Sequence, residues 1–145
     1  MTLTALQGWT NAVTLGAGTD IVNAGSGDTI TVNSTNLLLK GGTQEMVFLD
    51  AGSASIDDLS NTTTVVAGPT SGSASILDFA HDAGFVLDLT GGVGGFTTTA
   101  GVVSALESDG HGGTQLLLGN GPGASVIDFV NTSASALTSA HFRIG

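Results

Sequence analysis

Leu15-Gly16-Ala17-Gly18-Thr19-Asp20-Ile21-Val22-Asn23, followed at once by Ala24-Gly25-Ser26-Gly27-Asp28-Thr29-Ile30, decides how this chain is read. Two glycine turns each lead through an aspartate into an apolar position. Glycine has no Cβ, so such turns reach positive φ and curl the backbone until carbonyl oxygens are exposed. Around the turns, apolar and small polar residues alternate with period two, as in Ala12-Val13-Thr14-Leu15, Thr29-Ile30-Thr31-Val32 and, far along, Gln115-Leu116-Leu117-Leu118. That is strand spacing, and it directs Val22 and Ile30 into a core. Thr, Val and Ile fill these runs, while Glu, Lys and Arg, the usual solvent face of a helix, are nearly missing. The expected fold class is therefore all-β.

With 145 residues the chain has the length of one domain, enough to bury about two thirds of its unfolded surface. Two basic against twelve acidic residues give a net charge of −10, which argues against nucleic-acid binding or a basic membrane-surface role, since both need clustered Lys or Arg. The natural counter-charge is a cation. Cysteine is absent, so disulfides and thiolate metal sites are out. A hydrophobic fraction of 41% and a mean hydropathy of +0.37 are too apolar for disorder, yet no run approaches the ~18 apolar residues of a membrane span. Met1 to Trp9 shows neither a basic nor an apolar leader region, so export would need a route other than a Sec-type signal.

Gly52-Ser53-Ala54-Ser55-Ile56-Asp57-Asp58-Leu59 recurs twenty residues later as Gly72-Ser73-Ala74-Ser75-Ile76-Leu77-Asp78-Phe79, and again as Ala124-Ser125-Val126-Ile127-Asp128-Phe129. A period near twenty is one coil of a β-solenoid, in which coils stack and share an apolar interior. The spacing predicts a single domain: residues 1–72 as parallel β-roll or β-solenoid coils, and residues 73–145 as a β-sandwich-like C-terminal cap that covers the open strand edge. Gly101 to Ser108 and Ser133 to Phe142 are expected to form no more than one or two helical turns.

Carbonyl oxygens combined with sparse carboxylates are the donor set of Ca²⁺ rather than of Zn²⁺. The two turns thus nominate Gly16, Gly18, Asp20, Gly25, Gly27 and Asp28. The competing reading is that aspartates at coil corners, here Asp57, Asp58, Asp78 and Asp128, accept backbone N–H groups. His81, His111 and His141 lack ligand spacing, and no Gly-x-Ser-x-Gly, Gly-Lys-Thr or His-Glu-x-x-His motif occurs. Only Lys40 and Arg143 are basic, too few for uronate-cleaving chemistry, so no enzyme is expected. Trp9 and Phe48 would either cap a coil or stack on a sugar.

Residues 15 to 30 resemble the nonapeptide Gly-Gly-x-Gly-x-Asp-x-apolar-x of repeats-in-toxin (RTX) proteins, with Leu15 and Ala24 in place of each first glycine. Three later stretches resemble the segments that follow those repeats in RTX proteases and lipases: Ile76 to Leu89, with Phe85 where the family often has aspartate; Asp109 to Leu118, like its Asp-Gly-x-Gly-x-Thr-x-Leu hairpin; and Ala136 to Phe142, like its terminal Leu-Thr-x-x-x-Phe. The resemblance implies a β-roll with calcium between turns, and Asp78 and Asp88 join the candidate ligands through it. It further implies a non-catalytic module, secreted or on the cell surface, that leaves a bacterium through a type I ABC export apparatus and folds where calcium is plentiful. The rival expectation is an adhesion or glycan-binding module, with surface polysaccharide as its partner, or a surface-layer assembly module.

Overall fold

The computed structural model describes residues 1–4, 9–33, 35–57 and 62–145. Strands alternate between two sheets as the chain advances. The first sheet takes β1 (Thr2–Thr4), β3 (Gly18–Asn23), β5 (Thr35–Lys40), β7 (Ser53–Asp57), β9 (Ala74–Ile76) and β13 (Ser125–Phe129) in that lateral order. The second takes β2 (Ala12–Leu15), β4 (Thr29–Val32), β6 (Met46–Leu49), β8 (Thr64–Ala67), β10 (Val86–Leu89) and β14 (Phe142–Ile144). All of these neighbours are parallel. The protein is all-β, as the alternation predicted, and its coils form the parallel β-solenoid expected from the twenty-residue echo.

Alternation within each strand sends every second side chain inward. Register then aligns those side chains into columns. In the second sheet Ile30, Val47, Val65, Leu87 and Phe142 follow one another, and so do Leu15, Val32, Leu49, Ala67 and Leu89. In the first sheet Val22, Leu39, Ile56, Ile76 and Phe129 do the same, and all of these residues are buried. Near the last coil the columns turn aromatic: Phe79, Phe85 and Phe129 meet pairwise edge to face at 5.7–5.8 Å between ring centres, and Phe142 adds a fourth ring at 6.4 Å from Phe129.

Coil length varies. Ile21 pairs with Leu38 and Thr29 with Met46, 17 residues apart, whereas Leu87 pairs with Val65, 22 apart. The echo at twenty is real where Ala54, Ser55 and Ile56 pair with Ala74, Ser75 and Ile76. Its third copy, however, pairs three residues out of the expected alignment, Phe129 lying beside Ile76 rather than beside Phe79. The reason is parity: an odd shift puts Ile127 and Phe129, not Val126, into the core.

Parallel stacking continues past residue 72, since β9, β10, β13 and β14 prolong the same two sheets. What interrupts it is residues 90–124, which leave the stack after β10. They form helix α1 (Thr99–Ser104), started by the Thr98 hydroxyl accepting Gly101 N–H at 3.0 Å. The antiparallel hairpin of β11 (Glu107–Ser108) and β12 (Thr114–Leu118) follows. β13 then enters between β9 and β12, antiparallel to the latter. Helix α1 and the short turn Ser139–His141 pack together beside β14 and close that end.

At the corner before β9 the coils approach so closely that a Cβ on Gly72 would be driven into the Gly52 carbonyl, while one on Gly68 would meet only Thr90 Oγ1 at 3.4 Å. Gly72→Ala is therefore expected to lower the urea midpoint by about 1–3 kcal/mol of stability, and Gly68→Ala to leave it within about 0.5 kcal/mol.

Candidate functional site

Each passage from the first sheet to the second ends in the residue just before an inward-pointing second-sheet strand. Register places Asn11, Asp28, Glu45, Thr63 and Phe85 at that position on successive coils. Such a corner lies beyond the ladder, so its amides need partners from elsewhere. Asp28 supplies them. Its Oδ1 accepts Asn11 N–H at 2.9 Å and the Asn11 side-chain amide at 2.8 Å, and its Oδ2 accepts Gly25 N–H at 2.7 Å. One buried carboxylate thus ties its own coil to the one before.

The next corner repeats the pattern. Gly25-Ser26-Gly27-Asp28 and Gly42-Thr43-Gln44-Glu45 lie one above the other, with Gly27 N donating to Thr43 O at 2.7 Å and Thr43 N to Gly25 O at 3.2 Å. Gly27 and Gln44 share a positive φ, 73° and 62°. Glu45 is as buried as Asp28, and its carboxylate lies where a Cβ on Gly42 would fall. Where the column changes to Thr63, Asp82 of the following coil reaches back, accepting Thr62 N–H at 2.6 Å and Thr63 N–H at 3.1 Å. Asp82 too is buried.

The predicted site residues fall apart into five places. Gly16, just after β2, and Gly18, the first residue of β3, form the opposite edge, away from the corner of Gly25, Gly27 and Asp28. Asp20 follows in β3 and faces inward at the head of a column continued by Leu37, Ala54, Ala74 and Ile127, its carboxylate 3.0 Å from the Met1 amine. Asp78 sits just before the 3₁₀ turn Phe79–His81 and pairs with the His81 ring. Asp88 points outward from β10 and meets its register partner Arg143 at 3.2 Å. Among the described residues no three His, Asp or Glu side chains gather as metal ligands would. Asp58 lies outside the described residues. Asn11, Glu45 and Asp82 were missed, although the 17-residue recurrence of Gly-Ser-Gly-Asp as Gly-Thr-Gln-Glu marks one of them in the sequence.

The cap holds a second pair of acids. Asp109 starts the hairpin turn, its Oδ1 accepting His111 N–H at 2.7 Å and Gly113 N–H at 2.9 Å. The His111 amide is the chief reason its carboxyl lies below the usual range. Asp128, on the outer face of β13, is pushed up, first by burial and then by the charge of Asp109. His111 is an exposed turn residue, and His141 caps its turn by accepting Thr138 N–H at 3.0 Å.

No family model, curated protein or solved structure matches the chain.

Asp28→Ala strands two backbone amides and an Asn side chain, and should cost about 2–3 kcal/mol in urea unfolding. Asp128 carries the opposite sign. A carboxyl raised in the folded state binds its proton more tightly there, so its contribution is favourable below the unfolded pKa and is lost as pH rises through the raised one. Asp128→Asn should thus raise Tm at neutral pH, and the advantage should vanish below about pH 4.

Proposed function

We propose that this chain is a non-catalytic folding module of an exported protein, whose coils are fastened at acidic corners and whose folding responds to calcium. The observation that supports it most is the stacking of two successive corners, residues 24–28 and 41–45, with one acid at the same place in each and a left-handed residue just before it. The donor set of these corners is all oxygen and has neither thiolate nor imidazole, which suits a hard divalent ion. Asp28 already accepts three N–H donors, and a carboxylate offers about four lone-pair sites, so any ion here takes one carboxylate position and relies on backbone carbonyls and water. So low a ligand charge belongs to the weak end of calcium affinity, about 10⁻⁴–10⁻³ M, which is the range of extracellular modules.

Export by a type I ABC apparatus and a secreted or cell-surface location belong to the same reading. Both rest on the RTX-like segments and on the excess of carboxylates, which repel one another until a cation is available. The hairpin turn at Asp109 and the burial of Leu137 and Phe142 fit the roles those segments would have as a terminal cap.

Urea unfolding followed by circular dichroism, in EGTA and in rising calcium, tests the proposal. Stability should climb with the logarithm of calcium once the ion exceeds its dissociation constant. Asp28→Ala combined with Glu45→Ala should move that rise to higher calcium, over and above the loss seen in EGTA. Identical midpoints in EGTA and in millimolar calcium would overturn the calcium part.

A further inference from the structure

The outer face of the second sheet carries a feature that neither corner chemistry nor core packing uses. Register aligns Thr14, Thr31, Phe48, Val66, Asp88 and Arg143 along it. Every position in this outward column is polar except the middle two. Beside them Met46, two residues before Phe48 and on the same face, is 40% exposed. Phe48, Val66 and Met46 thus form an apolar break mid-sheet in an otherwise polar column.

Phe48 and Val66 floor a concavity of about 360 Å³, rimmed by Thr31, Asp50, Thr70 and Thr90. That volume falls in the range of small-ligand sites. The rim comes from four successive coils, a span of about 14 Å at ~4.8 Å per strand. Thr70 donates to Asp50 Oδ1 at 3.5 Å, and Thr90 donates to Ala67 O at 3.3 Å, so both hydroxyl oxygens keep acceptor capacity.

We infer that this groove binds a neutral polysaccharide, with the Phe48 ring as the platform for one sugar and Asp50, Thr70 and Thr90 taking its hydroxyls. A pyranose has an apolar C–H face and an equatorial girdle of hydroxyls. The first matches the negative face of an aromatic ring, and the second matches a rim of hydroxyls and one carboxylate. A purely apolar partner would bury Asp50 and the threonines without replacement hydrogen bonds, at a cost of kilocalories per group. Uronate and sulfated chains are disfavoured by Asp50 in the rim and by a net charge of −10. The groove lies on a sheet face and not at the acidic corners, so this inference is independent of the calcium reading.

The full chain, kept in calcium, is titrated by calorimetry with neutral oligosaccharides of glucose, mannose, galactose and xylose, and with alginate oligomers as the acidic comparison. At least one neutral series should bind, and alginate should not. Phe48→Ala should weaken binding about tenfold or more while the dichroism spectrum stays native, and Phe48→Trp should retain it. Should Phe48→Ala not fold, the exposed Asp50→Asn takes its place and should weaken binding severalfold. No binding of any neutral series at millimolar sugar, binding indifferent to these variants, preference for alginate, or self-association that Phe48→Ala abolishes would each overturn the inference. None of those outcomes alters the calcium titration of folding, so the two readings fail separately.

Discussion

Parallel stacking satisfies the amides of the inner strands from the coils above and below, but it leaves the corner amides to be satisfied by something else. In this protein that role falls to buried carboxylates. Asp28 and Asp82 each accept amides from the preceding coil, and Asp28 holds one of its own coil as well. Charge-assisted bonds of this kind are roughly twice as strong as neutral ones. They also fix register, because a carboxylate that slipped by one residue would leave a buried charge without its donors. Corner and core therefore specify the same alignment.

This division of labour accounts for the composition. The early coils fill their interior mostly with small and branched apolar side chains, and the last coils add four phenylalanines. Cations are nearly absent, so the acids find few salt bridges. Of the described pairs, one joins Asp88 to Arg143 and one joins Asp20 to the Met1 amine. Asp78 pairs with the His81 ring, Asp28, Asp82 and Asp109 are held by amides, and Asp128 sits partly desolvated.

Strands, turns and the inward direction of Val22 and Ile30 were legible in the sequence, because period-two alternation and glycine clusters are local signals. The pairing of Ile56 with Ile76 was legible for the same reason, being an unbroken echo. The third echo misled by three residues, since similar side chains recur in a run such as Ser-Val-Ile-Asp-Phe and only burial decides which of them face inward. The site was less legible. Gly16 and Gly25 read as successive copies of one turn, yet two turns separated by a single strand must lie on opposite edges of a two-sheet coil. The true recurrence, from Asp28 to Glu45, spans a whole coil and replaces every residue but one glycine. Asp82 carries no local mark at all, because its partners Thr62 and Thr63 lie twenty and nineteen residues back.

The excursion between β10 and β13 bears on how the molecule assembles. Early coils close over 17 to 22 residues, but Ala74 waits for Ile127 and Leu87 for Phe142, separations of 53 and 55. Tripling a loop adds about 1 kcal/mol of closure entropy, and contacts this distant in sequence slow the search. Moreover, β12 precedes β13 in the chain yet lies beyond it in the sheet, so the hairpin has no place to dock until β13 has threaded in. Nucleation accordingly belongs to the short early coils, and the last strand to arrive sets the rate at which the whole stack becomes native.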